Sequence, residues 1–219
     1  MVCPLSTVLN WENEFKIWMP SETALDVIEL ASAKTNAVRE KKVHQWLQTG
    51  GILIIGYEMF RTLTKKKNKP SAKDSASYDL YRRALLNPGP DVVFCDEGHL
   101  LKNEESELYK AMNEISTQRR VMLTGTPLQN NLFEYYTMVQ FVKPGLLGTK
   151  IEFGKRFASA LEKGQSADST PSDVRIMKRR ALILHKLLES KCIAFVYFLF
   201  IFVIFYVYFI PRYRYRSAF

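Results

Sequence analysis

Residues 52–58, ILIIGYE, are the stretch that most limits how this chain can fold. The run is apolar and of strand length, which is typical of a strand buried on both faces of a sheet. A second apolar run, DVVFCD, lies at 91–96, and a third, the short RRVML, lies at 119–123. Amphipathic helical patterns separate these runs. The sequence therefore predicts a parallel sheet flanked by helices, an α/β architecture.

The first predicted helix lies in PLSTVLNWENEFKIWMP, directly after the short apolar stretch MVC. Ser6 is expected to cap this helix, because its hydroxyl can accept a hydrogen bond from the first turn, and Pro20 is expected to end it. Helical spacing places four large apolar side chains on one face, namely Val8, Trp11, Phe15 and Trp18.

Further helices are predicted from the same spacing along the rest of the chain. One covers 37–48 and is closed by Gly50 and Gly51. Asn103 is expected to cap a later helix, because the two acidic residues that follow it favour a first turn. The buried stripe of that helix is predicted at Leu108, Met112 and Ile115. The remaining predicted helices lie near 78–86, 131–142, 151–162 and 173–188.

The polar stretch at 64–77, TKKKNKPSAKDSAS, is low in complexity and is predicted to be a flexible basic insertion on the surface. Its clustered lysines are either a solvated loop face or contacts to DNA phosphates, and the sequence leaves both interpretations open. These lysines are Lys65, Lys66, Lys67 and Lys69.

The cysteines and histidines are too scattered to share a site. Cys3, Cys95 and Cys192 contain no CxxC pair, so they are expected to be reduced intracellular thiols, and the three separated histidines argue against a zinc site. The first residues lack the apolar segment of a secretory signal. Residues 191–219 hold four basic residues and no acid, so +5 of the net charge of +9 falls on residues 1–190. This excess is compatible with a polyanionic partner.

Asp96 and Glu97 stand side by side where the second apolar run ends. Two adjacent carboxylates repel each other unless a cation lies nearby, and Mg²⁺ prefers oxygen ligands and commonly arrives with nucleotide phosphates. One carboxylate would hold the water shell of the ion while the other orients and deprotonates an attacking water. Taken alone, the dipeptide is better explained as a solvated loop start, and the apolar strand before it together with the polar turn after the next strand favours the ligand site instead. Thr124, Gly125 and Thr126 follow the next strand, and the ends of parallel strands form ligand sites, so one site is predicted at this edge.

Four motifs resemble, in order and spacing, those of the Swi/Snf-type chromatin-remodelling ATPases, which belong to the DEAD/H-box helicase superfamily. DEGH followed by LLKN resembles motif II, and LTGTPLQNN at 123–131 resembles motif III. VCPLSTVLNWENEF is similar to motif Ia, and GGILIIGYEMFRTL is similar to the strand and turn that carry motif Ib. The resemblance covers residues 1 to about 189 and implies a RecA-like helicase lobe 1.

Three further segments, GYEM, PGPDVV and ADSTPSDVRIMKRRA, are most similar to the subgroup of ATRX and androgen-receptor-interacting remodellers. Gly98 also stands in the box where the wider family more commonly has alanine. The resemblance implies double-stranded DNA, nucleosomes and nuclear proteins as partners, ATP and Mg²⁺ as cofactors, and the nucleus as location.

The resemblance also implies roles for individual residues at the matching positions. Asp96 would bind the Mg²⁺ of Mg-ATP through water, and Glu97 would position the hydrolytic water. His99 would link the nucleotide site to motif III, although a histidine here is also well explained as a structural residue. The implied coupling residues of motif III are Thr124, Gly125, Thr126 and Gln129. The residues expected near the DNA backbone are Pro4, Leu5, Ser6 and Thr7, and those of the extended box are Lys102 and Asn103.

Two parts of the family pattern do not occur in the sequence. No GKT or GKS is found, the loop whose amides and lysine hold nucleotide phosphates. The second RecA-like lobe, which in the family supplies arginine fingers and half of the DNA groove, is also absent. We therefore expect residues 1–189 to be a partial lobe of a remodelling translocase that is inactive alone. The alternative is a truncated product without ATPase activity, non-catalytic or membrane-tethered.

Residues 193–210, IAFVYFLFIFVIFYVYFI, are consecutively apolar or aromatic, and a basic tail follows at 211–219. As a helix the run would span ~27 Å, enough for the core of a bilayer. Because the codons for Phe, Ile, Val and Leu share a central T, the run is also what a translated T-rich intron would encode. A membrane anchor and a retained non-coding segment both stay open, and each predicts a chain that is insoluble without detergent.

Overall fold

The computed structural model describes residues 1–20, 25–66, 71–125 and 132–189. The chain divides into two compact units, Met1–Leu147 and Gly148–Phe219. The hydrophobic segment predicted at 193–210 and the basic tail at 211–219 lie outside the described residues. Within the described ranges, no helix combines the length and the apolar character needed to cross a bilayer.

The described part of the first unit contains a sheet of five short strands. They are β1 (Val2–Cys3), β2 (Val27–Glu29), β3 (Ile52–Gly56), β4 (Val93–Cys95) and β5 (Arg120–Met122). Their order in the sheet is β2-β3-β1-β4-β5, and every neighbouring pair runs parallel. The predicted α/β architecture with a parallel sheet is therefore confirmed. The sequence analysis did not predict β2, because the charged Glu29 interrupts an already short apolar run.

Among the residues that the structure describes in this unit, six α-helices accompany the sheet. They are α1 (Val8–Trp18), α2 (Asn36–Thr49), α3 (Tyr57–Thr64), α4 (Ala72–Leu85), α5 (Glu107–Asn113) and α6 (Leu132–Val142). The two faces of β3 show how they pack. Leu53 and Ile55 join a buried cluster with side chains from α2 to α6, whereas Ile54 packs with Val8 of α1 on the opposite face. Both faces of the sheet are therefore covered, as expected for parallel strands.

The second unit is helical over its described part. Its helices are α7 (Lys150–Phe153), α8 (Ser159–Gln165) and α9 (Pro171–Glu189), with a π-helical turn at Gly154–Ala158 that makes α7 and α8 continuous. Phe153 and Phe157 are fully buried, with ring centres 5.6 Å apart. Thr170 caps α9 by a reciprocal pair of hydrogen bonds with Asp173, which also forms an ion pair with Lys163 at 3.0 Å.

Two predicted helix caps are wrong. Ser6 is exposed and caps nothing, because the chain enters α1 through a 3-10 turn, Leu5–Thr7, without a side-chain cap. Asn103 accepts a hydrogen bond from the Glu105 amide instead, and Ser106 caps α5 three residues later. The start of α1 thus has no side-chain cap, whereas Asn103 and Ser106 both stand before α5 and only Ser106 caps that helix.

Three further predictions differ from the structure: the burial of one side chain and the bounds of two segments. Trp18, expected on the buried face of α1, is half exposed, and its indole N–H donates to Glu14 on the surface. The run ILIIGYE leaves the strand at Gly56, so its last two residues begin α3. The predicted insertion at 64–77 is not one loop, because residues 72–77 form the first turns of α4. Residues 67–70 lie outside the described residues, and the flexibility of this segment stays a prediction.

Candidate functional site

The parallel sheet brings four chain segments to one edge. Because all strands run the same way, their carboxyl ends lie together. Pro4–Thr7 follow β1, Tyr57 follows β3, Asp96 and Glu97 follow β4, and Thr124 with Gly125 come shortly after β5. Since β1, β4 and β5 are neighbours, the predicted box, the motif III turn and the predicted DNA-contacting turn share this edge. Thr126 and Gln129 lie outside the described residues.

Asp96 is held by hydrogen bonds from both sides. Its amide donates to the Val2 carbonyl at 2.9 Å, which extends the pairing of β4 with β1 by one residue. The Tyr57 hydroxyl donates to the Asp96 carbonyl at 2.7 Å. One carboxylate oxygen accepts from the Trp11 indole N–H at 2.8 Å, and the other accepts from the Glu97 amide at 3.0 Å. Each of these two oxygens keeps a further lone pair for another donor or a cation.

Glu97 takes a backbone conformation that few residues of its type adopt. Its φ is +50°, in the left-handed region, which costs a non-glycine residue about 1–3 kcal/mol and is concentrated at functional sites. The conformation turns the chain so that the Gly98 amide can donate to the Leu123 carbonyl at 2.8 Å. Leu123 in turn donates to the Cys95 carbonyl at 2.8 Å. The box is therefore fastened to β1 through Asp96 and to the strand before motif III through Gly98.

Glu97 and His99 form a partly exposed pair. The His99 Nδ1 lies 3.1 Å from a carboxylate oxygen of Glu97, and more than a third of each side chain is exposed. His99 therefore orients the Glu97 carboxylate directly. The implied link from His99 to motif III stays a prediction.

Gly98 leaves no room for a side chain in the present packing. A methyl group at this position would lie 2.0 Å from the Met122 Cγ, far inside van der Waals contact. The Met122 side chain of β5 therefore fills the space beside the Gly98 backbone.

The turn at Pro4–Thr7 is accessible. Leu5 is 67% exposed, Ser6 is exposed, and the Thr7 hydroxyl donates to the Pro4 carbonyl at 3.0 Å. Because the turn is 3-10 and has no side-chain cap, the helix-capping role is excluded for Ser6. Contact of these residues with DNA stays a prediction.

Lys102 and Asn103 contact neighbouring protein groups. Lys102 forms an ion pair with Glu134 of α6 at 3.1 Å, and Asn103 supports the turn before α5. Both contacts stabilise the segment that follows the box.

The described residues contain no cluster of three or more histidine, cysteine or acidic side chains that would hold a metal ion. The buried thiols of Cys3 and Cys95 at this edge are held in their neutral form, because burial raises the pKa of Cys95 to about 12 and also raises that of Cys3. A magnesium ion at Asp96 would therefore bring most of its ligands with it, as phosphate oxygens and water. That is the way Mg²⁺ usually binds to proteins.

Trp11 and Tyr57 are site residues that the sequence analysis missed. Trp11 was assigned only to an apolar stripe, and Tyr57 only to a strand. Burial raises the pKa of the Tyr57 hydroxyl well above its usual value, so it acts as a neutral donor to Asp96. A hydrophobic periodicity registers only the apolar character of these rings and not their polar atoms. Only the sheet topology shows that both polar atoms bind Asp96.

Comparison with known sequences identifies relatives over most of the chain. The sequence profile described as the SNF2-related domain matches residues 1–194. Transcriptional regulator ATRX of Mus musculus is 51% identical over 193 residues, covering 87% of this chain and 8% of that protein. The ATRX homolog of Drosophila melanogaster is 48% identical over 192 residues, covering 87% and 14%, respectively. Helicase ARIP4 of Mus musculus is 40% identical over 224 aligned residues, covering 86% and 15%.

The chain thus spans less than a sixth of the length of each of these relatives. Among solved structures, the Sulfolobus solfataricus SWI2/SNF2 ATPase core in complex with dsDNA aligns with a TM-score of 0.49 and 21% identity. That alignment covers 81% of this chain and 31% of the other.

Proposed function

We propose, from the premise that this chain belongs to the SNF2-related family, that residues 1–189 are part of the first ATPase lobe of a DNA-stimulated chromatin-remodelling translocase. The supporting observation is the meeting of three segments at one sheet edge. These segments are the Asp96–Glu97 pair, the Thr124–Gly125 turn and the accessible Pro4–Thr7 turn. The names of the relatives, a transcriptional regulator and a helicase, agree with this assignment.

The proposed ligand of the edge is Mg-ATP. Asp96 suits the water shell of a hard cation, because its carboxylate is fixed by two donors and keeps a lone pair on each oxygen. When bound, Mg-ATP supplies a polarised phosphoryl group and a leaving group. Glu97 is proposed to hold a water molecule next to that group and to accept its proton, while His99 keeps the Glu97 carboxylate in place.

The proposed polymer ligand is double-stranded DNA, bound through its backbone. Residues 1–190 carry an excess of positive charge, and Pro4–Thr7 form an accessible turn at the same edge. Thr124, Gly125, Thr126 and Gln129 are proposed to couple the state of the nucleotide to the grip on DNA. No described segment offers a base-reading element, so contacts are expected to be independent of sequence.

The polypeptide of 219 residues is proposed to bind these ligands weakly and to hydrolyse almost no ATP. The sequence contains no GKT or GKS loop to hold phosphates. In phosphoryl transfer, an arginine supplied by a second protein element, such as the second RecA-like lobe of the family, raises the rate by a factor on the order of 10³ to 10⁵. We therefore expect phosphate release at the level of a buffer blank, even with saturating DNA.

The experiment is to titrate the full chain in mild detergent with fluorescently labelled 20-base-pair DNA and, separately, with a fluorescent ATP analogue plus Mg²⁺. DNA binding should weaken steeply with salt, because phosphate contacts release counterions. Nucleotide binding should require Mg²⁺ and should be lost in Asp96→Asn. Glu114→Gln is the matched control, since Glu114 is an exposed acid outside the edge. Nucleotide binding that survives Asp96→Asn unchanged would contradict the assignment.

The nucleus is the proposed location, following the chromatin-related relatives. A second candidate, a membrane-tethered product, is favoured by the apolar run at 193–210 in the sequence. Carbonate extraction of membranes distinguishes the two, because a tethered chain stays in the pellet and a chromatin-bound chain does not.

A further inference from the structure

Trp11 makes the one side-chain bond that reaches the Asp96 carboxylate from another element of the described structure. Its indole N–H donates to Oδ2 at 2.8 Å, across 85 positions of sequence. The other oxygen is bound only by the adjacent Glu97 amide. The orientation of this carboxylate therefore depends on the position of α1.

Trp11 is also rigidly joined to the accessible turn before α1. The Thr7 amide donates to the Pro4 carbonyl, and the Val8 amide donates to the Leu5 carbonyl, so turn and helix are continuous. Val8, the first residue of α1, is fully buried. Trp11 lies one helical turn beyond Thr7, a rise of ~6 Å. Because turn and helix are continuous, we expect a displacement of the turn to shift the first turns of α1 and with them the indole.

The other tryptophans of the chain do not have this arrangement. Trp18 donates to Glu14 within the same helix, and Trp46 donates to the Gly51 carbonyl five residues away. Both contacts are local and exposed. The long-range bond of Trp11 is thus a property of its place at the sheet edge and is not general to tryptophan in this chain.

We propose that Trp11 is a positioning residue, whose indole N–H holds the Asp96 carboxylate in register and relays movement of the Leu5–Thr7 turn to it. The proposal rests on the function proposed above, since it joins the DNA-facing turn to the nucleotide-facing carboxylate. DNA that presses on the turn reorients the carboxylate through one hydrogen bond. By the same path, nucleotide bound at the carboxylate changes the affinity for DNA, because coupling between sites is reciprocal.

The direct test requires no ligand. Backbone amide chemical shifts of Leu5, Ser6 and Thr7 are measured in the ¹⁵N-labelled full chain in detergent micelles. Asp96→Asn should move these three signals beyond their line widths, and in a Trp11→Phe background the same change should leave them in place. Glu97→Gln is the matched control and should move only signals near its own histidine partner.

Removal of the donor has to be separated from loss of packing. Trp11→Phe deletes one ring as well as the N–H group, so the second variant carries 3-benzothienylalanine, which keeps the two-ring shape and lacks only the donor. In both variants, adding Asp96→Asn should leave the amide signals of Leu5–Thr7 in place. Shifts of Leu5–Thr7 that respond to Asp96→Asn in every background, or in none, would overturn the proposal.

A second measurement follows the consequence for binding. Saturating Mg-ATP is expected to change the DNA dissociation constant of the native chain about fivefold or more, a typical size for coupling between two sites. In Trp11→Phe that ratio should fall to about one. Trp18→Phe should behave as the native chain. If the native chain binds neither DNA nor Mg-ATP, the proposed function fails, and the amide shifts still decide the relay.

Discussion

Replacing Arg120 with methionine is expected to lower the free energy of unfolding of the first unit by about 3 kcal/mol. Arg120 begins β5, the strand that leads to Thr124, and is only 6% exposed. Its guanidinium donates to two buried carbonyls, those of Ile115 at 2.7 Å and Phe141 at 3.1 Å. It thereby ties the end of α5 and the end of α6 to the strand.

The magnitude follows from the acceptors that methionine would abandon. Hydrogen bonds from a charged donor are worth roughly 1.5–3 kcal/mol each, so the two buried bonds together contribute about 3–6 kcal/mol. The bonds to Thr117 and Asn113 are partly exposed, and water can replace them. Part of the loss is offset, because burial disfavours the charged guanidinium and lowers the pKa of Arg120. The expected net loss of unfolding free energy is therefore about 3 kcal/mol, the lower end of that range.

The assay is urea unfolding followed by tryptophan fluorescence. All three tryptophans, at positions 11, 18 and 46, lie in the first unit, so the signal reports that unit alone. With a slope of about 2 kcal/mol per M, the midpoint should fall by about 1.5 M. Arg119→Met is the control, since Arg119 is exposed, and its midpoint should move by less than about 0.3 M. Equal midpoints for both variants would refute the reasoning.

Three further outcomes are expected. Gly98→Ala should destabilise the first unit by about 1–3 kcal/mol in the same urea assay, because the methyl collides with Met122. Burial raises the pKa of Glu29, but hydrogen bonds from Lys42 and Ser32 outweigh that effect and hold the pKa below its usual value. The contribution of Glu29 to stability is therefore fully present above the ordinary glutamate pKa of about 4.3 and is lost as pH falls through the lowered pKa, so Glu29→Gln should flatten the acid side of the urea-midpoint profile. Thr170→Ala should speed amide exchange in the first turn of α9 about fivefold, equivalent to ~1 kcal/mol of capping.

Each of these outcomes has its own check. The cost of Gly98→Ala should shrink when Met122 is also shortened to alanine, since neighbouring changes are coupled. For the pH profile, Glu114→Gln serves as the exposed control and should leave the acid slope unchanged. Thr170→Ser is the matched control for the cap, because it keeps the hydroxyl that accepts from the Asp173 amide, and exchange in the first turn of α9 should stay close to the native rate.

The sequence sufficed for β3, β4 and β5, although not for β2, and for the edge at which Asp96 and Thr124 lie, for a physical reason. Apolar runs such as 52–56 and 93–95 mark buried strands, and parallel strands must end at one edge. The gathering of Asp96 and Thr124 at that edge was predictable without coordinates.

The parts that escaped prediction depend on contacts between distant segments. Trp11 and Tyr57 count as apolar in any periodicity, yet it is their single polar atoms that grip Asp96. The start of α5 was misplaced because Asn103 and Ser106 are both good caps, and only packing chooses between them. The left-handed backbone of Glu97 likewise has no local signature.

The central position of β1 has a kinetic consequence. Val2 pairs with Ile55 on one side and with Cys95 on the other, so the middle of the sheet closes only after two long chain loops have been brought together. Such closures oppose folding entropically and slow it. Asp96 and Glu97 reach their positions at the sheet edge through this same closure, since the Asp96 amide bonds to Val2. Partly folded chains that already contain every helix are therefore expected to lack this arrangement, which forms among the last features of the first unit.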